Sequence, residues 1–373
     1  MISDLTTREH KIYDRLEDDL SRQVFLARKN AVKSYPLNLE SYNFDAIPDF
    51  VALNQYKTQE NIDDYIAKFA TRTNKYIIYG AGGYGVMFTR KLMKINKQRF
   101  SDCVGVWDTN SLVEGKDTLG VGVAISIPPL KVNADEFSNI EIIITPTTPI
   151  IRHEIEDYLI KIGIICEQIY ALGNNVRWEC DYAAFEYFEY GSEEIFIDGG
   201  CLNFWSSIDF LERCPNAKKI YAFEPNSNVL DRIEKFIKQS KFGNVELINA
   251  GLWSENTTLS FLVNDNAPGG GAIDPTGTIK IDVVTLDSIV TDDENISFIK
   301  MDVEGAEIEA LKGMRKTILQ CKPKLAISIY HKAFDYIDIP EYILTLVSDY
   351  RIYFRHYTDF FGETVLFAIP QNK

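Results

Sequence analysis

Apolar residues recur at helical spacing through "DLTTREHKIYDRLEDDLSRQVFLARK", with charges between them, and predict helix near the start of the chain. "SYPLNLESYNFDAIPDF" keeps no period and reads as a connector, and "NIDDYIAKFATRT" reads as a second helix capped by Asn61. From residue 75 the pattern changes to short apolar runs alternating with helical ones. "KYIIYG" is a strand, "YGVMFTRKLMKI" a helix, "DCVGVWDTN" a strand ending in Asp108, "IEIIITPTT" another strand, "IIRHEIEDYLIKIGI" a helix, and "EQIYAL" closes the unit. Such alternation predicts a parallel, doubly wound sheet.

The alternation then starts again. "EIFID" (194–198), "KIYAFEP" (219–225), "NVELINAGLW", "ISFIKMDVE" and "KLAISIYH" read as strands. The helices between them are "WSSIDFLERCP", "NSNVLDRIEKFIKQS", "GAEIEALKGMRKTIL" and "PEYILTLVSDY". "TTLSFLV" and "IKIDVVTL" form an inserted antiparallel pair, and "RIYFRHYT" with "ETVLFAIP" a terminal hairpin. The predicted fold is therefore α/β, with two doubly wound Rossmann-like domains behind a helical leader. The expected boundaries are 1–74 for the leader, 75–175 for the first domain and 176–373 for a second, seven-stranded one.

Composition narrows the chemistry. The 373 residues carry a formal net charge of -15 and no Lys/Arg-rich run, so the counterion-release term that drives nucleic-acid binding is missing. Cys103, Cys166, Cys180, Cys201, Cys214 and Cys321 are scattered without a C-x-x-C pair, as in a reducing, cytoplasmic setting. The four histidines are dispersed, which argues against structural zinc. A charged N-terminus argues against a signal peptide, and no apolar stretch reaches membrane-spanning length. The leader carries no evident chemistry and suits packing or a contact between copies in a homo-oligomer.

Two glycine turns compete for a cofactor. In "FIDGGCLNF", Asp198 ends one strand, and in "YAFEP" Glu224 ends the next. In a doubly wound sheet both tips open on the same crevice. Gly199 and Gly200 allow close backbone approach, Asn203 lies in the same turn, and a carboxylate at Glu224 suits two ribose hydroxyls. No cluster of amides with Lys or Arg is present for phosphates. An adenosine-type cofactor with a positive centre, S-adenosylmethionine, suits such a pocket. Taken singly, Asp198 is also readable as a helix cap and Glu224 as a surface acid.

The runs "IFIDGG", "YAFEP", "INAGLWSENTTLSF", "VVTLDSI", "FIKMDVEGAEIEALKG", "KPKLAISIYHK", "YFRHYT" and "ETVLFAI" resemble the FkbM-type methyltransferases, in order, from about residue 193 to the end. The resemblance implies a class I S-adenosylmethionine-dependent O-methyltransferase acting on hydroxyls of sugars and other natural products. Its usual second turn glycine is replaced by Phe204, which bears on cofactor affinity.

A sugar hydroxyl needs a base, or a metal that lowers its pKa. Asp302 ends the fourth strand and is expected to contribute to cofactor binding too. Glu304 and Glu307 follow it, His331 ends the fifth strand, and His356 sits near the hairpin. The expected roles are orientation of cofactor and substrate by Asp302 or Glu304 and proton removal by His331. Glu307 reads as an ordinary first-turn acid and His356 as structural. A divalent metal is compatible with neighbouring Asp302 and Glu304, but no ligand spacing demands one and none is assigned. The loop "VNDNAPGGGAIDPTGT" reads equally as a lid or a hairpin tip.

The other turn, "YIIYGAGGYG", places Gly80, Gly82 and Gly85 in G-x-G-x-x-G order, with Asp108 at dinucleotide spacing. With "VGVWDTN", "GVGVAISIPPL" and "IIITPTT", it is similar to the N-terminal domain of PglD-type sugar acyltransferases. That likeness implies an auxiliary pocket for a nucleotide or nucleotide sugar. Two other readings stay open: an NAD(P)-dependent oxidoreductase or bifunctional enzyme using this turn, and a catalytically inactive binding protein. The expected partner is a saccharide or nucleotide-sugar substrate.

Overall fold

The computed structural model describes residues 5–34, 47–53, 62–146, 149–171, 182–202, 204–239, 244–263, 271–358 and 361–371. Asn61, Asn203, Cys180 and residues 264–270 of the Gly-rich loop therefore lie outside the described residues. The chain divides into two compact units, one formed by 1–55 with 178–373 and the other by 56–177.

Helix α1 (Thr7–Tyr13) starts on a capping box, in which the Glu9 amide donates to Thr6 Oγ1 at 3.3 Å and the Thr6 amide donates to Glu9 at 2.6 Å. Helix α2 (Asp19–Ser34) buries Val24, Phe25, Ala27 and Ala31, and α3 (Pro48–Leu53) buries Phe50. These apolar stripes join the core of the C-terminal half. The segment expected as one leader over 1–74 is thus divided. Helices α1 to α3 belong to the C-terminal unit, and α4 (Ile62–Ala70) belongs to the other.

In that other unit the elements are β1 (Lys75–Tyr79), α5 (Gly83–Asn96), β2 (Cys103–Trp107), β3 (Ile125–Ser126), α6 (Ala134–Phe137), β4 (Ile140–Ile144), α7 (Pro149–Ile162) and β5 (Ile169–Ala171). The strands pair in parallel in the order β3-β2-β1-β4-β5. Alternation along β1 serves both faces: Tyr76 and Ile78 pack with Phe69 and Phe88, whereas Ile77 and Tyr79 pack with Leu159. That is why β1 reads as a continuous apolar run.

The C-terminal unit continues with β6 (Ile195–Gly199), α8 (Trp205–Arg213), β7 (Lys219–Phe223), α9 (Ser227–Gln239), β8 (Val245–Ile248), β9 (Gly251–Leu252), β10 (Thr257–Val263), β11 (Gly271–Ile273) and β12 (Ile279–Val284). It ends with β13 (Phe298–Met301), α10 (Glu307–Gly313), α11 (Arg315–Cys321), β14 (Lys324–Ser328), α12 (Asp335–Leu346), β15 (Tyr350–His356) and β16 (Thr364–Pro370). Seven strands form a sheet in the order β15-β16-β14-β13-β6-β7-β8. The pairs from β14 to β8 are parallel, and β16 is antiparallel to both neighbours.

Two elements differ from the sequence reading. "NVELINAGLW" is not one strand, because β8 stays in the main sheet while β9 leaves it to pair with β12 in a four-stranded sheet, β11-β10-β12-β9. The helix expected over "GAEIEALKGMRKTIL" is two, α10 and α11, meeting at Gly313–Met314. There the backbone passes so close to Trp253 that a Cβ on Gly313 would lie 1.8 Å from its carbonyl oxygen. The leader also covers the sheet edge. Leu16 bridges Ile352 in parallel, the Glu17 amide donates to the Ile352 carbonyl at 3.0 Å, and the Phe354 amide donates to Ser21 Oγ at 3.0 Å. Among the described residues, no helix is long and apolar enough to cross a membrane.

Candidate active site

The parallel order brings the carboxyl ends of β6, β7 and β13 side by side, with β13 and β7 flanking β6. At the tip of β6, Asp198 is fully buried. Its carboxylate accepts from Ser206 Oγ at 2.8 Å and Ser207 Oγ at 2.7 Å, and pairs with Lys300 Nζ at 3.2 Å. Lys300, itself buried in β13, also donates to the Gly200 carbonyl at 2.7 Å. Burial alone would lower the Lys300 pKa, but Asp198 and Asp302 outweigh it and hold it above the usual lysine value. Asp198 thus ties the start of α8 and strand β13 to the turn. Gly200 has φ +72°, and a Cβ there would lie 1.9 Å from the Asp302 carbonyl oxygen, so any side chain would push the two turns apart. Gly199 is the last residue of β6 and sits opposite Met301.

Glu224 follows β7 and is 5% exposed. Its two oxygens accept the amides of Leu202 and Asn226, each at 2.8 Å. Burial pushes its pKa up against those amide bonds and Lys300. The carboxylate therefore stands between the first turn and the start of α9. Phe204 takes the left-handed conformation at φ 61°, and its ring is fully buried, edge-on to Phe236 at 6.4 Å. The ring packs towards α9, out of solvent.

After β13 the chain turns through Glu304 (φ 53°) and Gly305 (φ 91°) into α10. Glu307, the first residue of α10, is 1% exposed and accepts the Val303 amide at 3.1 Å and the Gly305 amide at 3.3 Å. The first-turn position holds as expected, but the residue is no solvated acid. Its Oε1 meets His331 Nδ1 at 2.8 Å. On the other side of the same ring, Nε2 lies 3.3 Å from Glu304 and 3.4 Å from Asp302. The structure therefore gathers Asp302, Glu304 and His331 and adds Glu307. Burial would lower the His331 pKa, but Glu307 and Glu304 outweigh it and hold it well above the usual histidine value. Asp335, behind the cluster, is pushed up to about 7 by burial and by Glu307.

Tyrosines complete the Asp302 side. Tyr182 Oη donates to Asp302 at 2.9 Å and lies 3.0 Å from Ser328 Oγ, while Tyr330 Oη donates to Glu363 at 3.1 Å and lies 3.4 Å from Asp302. Sequence reasoning passed over Lys300, Tyr182, Tyr330 and the buried role of Glu307. Lys300 alone had a signal, a lysine inside the apolar strand "FIKM". His356 is buried, bonded through Nδ1 to Thr364 Oγ1 at 2.8 Å and stacked on Phe50, a structural role.

In the other unit the glycine turn sits at the end of β1, with Gly82 as the cap position of α5. Gly80 has φ +107°, and a Cβ on Gly85 would lie 2.3 Å from the Gly80 carbonyl oxygen, so the turn is folded tightly on itself. Asp108 braces it, accepting the Ala81 amide at 2.7 Å and the Asn110 amide at 2.8 Å.

Residues 198–359 match the family model of the methyltransferase FkbM domain. A hexuronic acid methyltransferase, AglP of Haloferax volcanii, is 31% identical over 108 residues, which cover 28% of this chain and 45% of that protein. This chain thus matches less than half the length of that curated relative. The crystal structure of methyltransferase FkbM from Methylobacillus flagellatus KT aligns with 94% of this chain and 99% of its own, at 19% identity and a TM-score of 0.44. SMU.1697c, a putative methyltransferase of Streptococcus mutans in complex with SAH, aligns over 48% of this chain and 89% of its own, at 16% identity and a TM-score of 0.30.

Proposed function

We propose that the protein is a class I S-adenosylmethionine-dependent O-methyltransferase acting on a hydroxyl of a sugar, nucleotide sugar or glycan precursor. The observation that carries this reading is the meeting of Gly199–Gly200, Glu224 and Asp302 at adjacent strand tips within the stretch that matches the FkbM domain. The residues present suit the cofactor. Glu224 offers a carboxylate for ribose hydroxyls, the β6 turn lets backbone approach, and acidic surroundings favour a sulfonium. Asp198 acts here through the turn it braces. When bound, the cofactor supplies an electrophilic methyl group, so positioning provides much of the rate.

Within this reading Glu304, whose side chain is 31% exposed, takes the hydroxyl proton. His331, with a side chain 1% exposed and carboxylates at both nitrogens, orients Asp302 and Glu304 and does not meet the substrate directly. The sugar class rests on the resemblance of the motifs and on the partial match to a hexuronic acid methyltransferase.

Titration of the full chain with S-adenosylhomocysteine by calorimetry tests the cofactor assignment. One site per chain, weakened by Glu224→Gln, is expected; no heat at millimolar ligand overturns it. The tight turn at Gly80–Gly85 and the parallel order β3-β2-β1-β4-β5 favour a nucleotide or nucleotide-sugar pocket in the other unit. Thermal shift with UDP-sugars against NAD(P) separates that role from an oxidoreductase.

A further inference from the structure

Among the described residues, two glutamates take the left-handed backbone that favours glycine, Glu304 at φ 53° and Glu363 at φ 57°. Both stand beside Asp302. Glu304 reaches it across His331 Nε2, which lies 3.3 Å from Glu304 and 3.4 Å from Asp302. Glu363 reaches it across Tyr330 Oη, which lies 3.1 Å from Glu363 and 3.4 Å from Asp302. Glu363 comes just before β16, where its carbonyl accepts the Tyr357 amide at 3.1 Å and closes the terminal hairpin. Glycine would serve that turn without strain. A half-buried carboxylate kept in a strained conformation beside the site calls for a role that the turn does not supply.

We propose that Glu363 binds the acceptor and that the acceptor is an uncharged sugar. This rests on the O-methyltransferase reading, in which Glu304 takes the proton of the reacting hydroxyl. Another hydroxyl of the same sugar donates to Glu363, whose carboxylate accepts such donors in charge-assisted bonds. The charge of the acceptor follows from the surroundings. Asp302, Glu304 and Glu307 face a single imidazole, and Glu363 joins them through Tyr330. The neighbouring lysines are committed. Lys300 is buried against Asp198 and the Gly200 carbonyl, and Lys332 donates to the Gly305 carbonyl. A uronic acid would bring a further carboxylate among these acids, and like charges select against it. An uncharged sugar brings only the donors that the acids accept. In charge, then, the expected acceptor differs from the one named for the hexuronic acid methyltransferase that the chain partly matches.

The full chain is incubated with methyl-labelled S-adenosylmethionine and an extract of nucleotide sugars and glycans from cells in which the protein is native. Acid then releases the sugars, and an anion exchanger separates the uncharged from the uronic ones. Label in the unretained fraction is expected. Label in the retained fraction overturns the proposal and leaves the methyl-transfer reading standing. No label, from a chain that binds S-adenosylhomocysteine, removes the sugar acceptor and the proposal with it. Glu363→Gln and Glu363→Gly are then compared with the parent at limiting extract. Each should lower the rate at least ~10-fold while S-adenosylhomocysteine affinity stays within ~2-fold by calorimetry. Glu363→Gly, which relieves the left-handed strain, should melt no lower than the parent. Activity lost without stability is what a residue serving only the turn would not give. A rate unchanged in both variants overturns the assignment to Glu363.

Discussion

Phe204 sets two opposing effects against each other at one position. Its left-handed backbone costs about 1–2 kcal/mol in a residue with a Cβ, and a glycine there would relieve that. Its fully buried ring against Phe236 contributes more, since deleting a buried phenylalanine side chain costs about 3–5 kcal/mol. Phe204→Gly should therefore destabilise the protein by about 1–4 kcal/mol in urea unfolding, and a variant as stable as the parent would show that the ring adds nothing beyond the relief of its backbone. The sequence made the departure from glycine visible but not its direction, because the ring's destination depends on α9. Asp198 carries the same lesson. Its place at a strand tip was legible, but its partners Ser206, Ser207 and Lys300 were not, since Lys300 lies on a strand a hundred positions away. Lys300→Met leaves that carboxylate buried and unpaired and should cost about 3–5 kcal/mol. Adding Asp198→Asn should recover part of the loss, as a double-mutant cycle would show. A pH effect belongs at this scale too. Burial pushes the Glu194 pKa up, but Ser297, the Gly191 amide and Lys324 outweigh it and hold the pKa below the usual glutamate value. A depressed folded pKa stabilises above the unfolded value and loses that stability as pH falls through the folded one. Glu194→Gln should thus cost about 1.5–3 kcal/mol at neutral pH, with the gap to the parent closing below about pH 4. A gap that stayed constant with pH would rule out a contribution from the charge.

At the level of elements, the leader shows what periodicity reveals and what it hides. The apolar stripe of α2 announced a helix that must bury one face, and Val24, Phe25, Ala27 and Ala31 do so. What it covers was not legible, because β15 lies more than three hundred residues away and the contact runs through backbone atoms of Glu17 and Ile352. Strand β15 ends the seven-stranded order and would otherwise present free amides and carbonyls along that edge. Buried polar ties reinforce the docking: Arg355 pairs with Asp18, and Arg28 donates to the Tyr330 carbonyl at 2.7 Å. The Tyr330 side chain faces the candidate site, so the leader reaches one residue of its wall from behind. Phe25→Ala, which empties the contact between α2, Tyr336 and Phe354, should destabilise the C-terminal unit by about 3–5 kcal/mol. Amide exchange should rise along β15 in the same variant. Unchanged exchange at Tyr350–His356 would mean that the strand holds its edge without the leader.

Across the whole molecule, one parallel sheet and one mixed sheet with a parallel centre each carry a glycine turn at the end of a strand, and only their surroundings tell the turns apart. The alternation of strands and helices made both sheets legible, down to the terminal hairpin. The better fingerprint by spelling, Gly80-x-Gly82-x-x-Gly85, closes tightly on itself and is braced by Asp108, whose two oxygens accept the Ala81 and Asn110 amides. The poorer one, at Gly199–Gly200, meets Asp302 across the turn and has Glu224 at the next strand tip, neighbours that the order of strand ends already suggested, whereas the buried bond of Glu307 to His331 was not legible in a residue that read as an ordinary first-turn acid. The two turns lie in separate compact units, so their ligands should leave separate marks. A ligand at about 100 times its dissociation constant stabilises the state that binds it by about 2.7 kcal/mol. With S-adenosylhomocysteine, hydrogen exchange should slow in peptides spanning 198–226 and 298–307, and peptides spanning 76–90 should be unchanged. A nucleotide sugar bound at the first turn should give the opposite pattern. Protection of 76–90 by S-adenosylhomocysteine would move the cofactor to the Gly80 turn and reverse the assignment of chemistry between the two sheets.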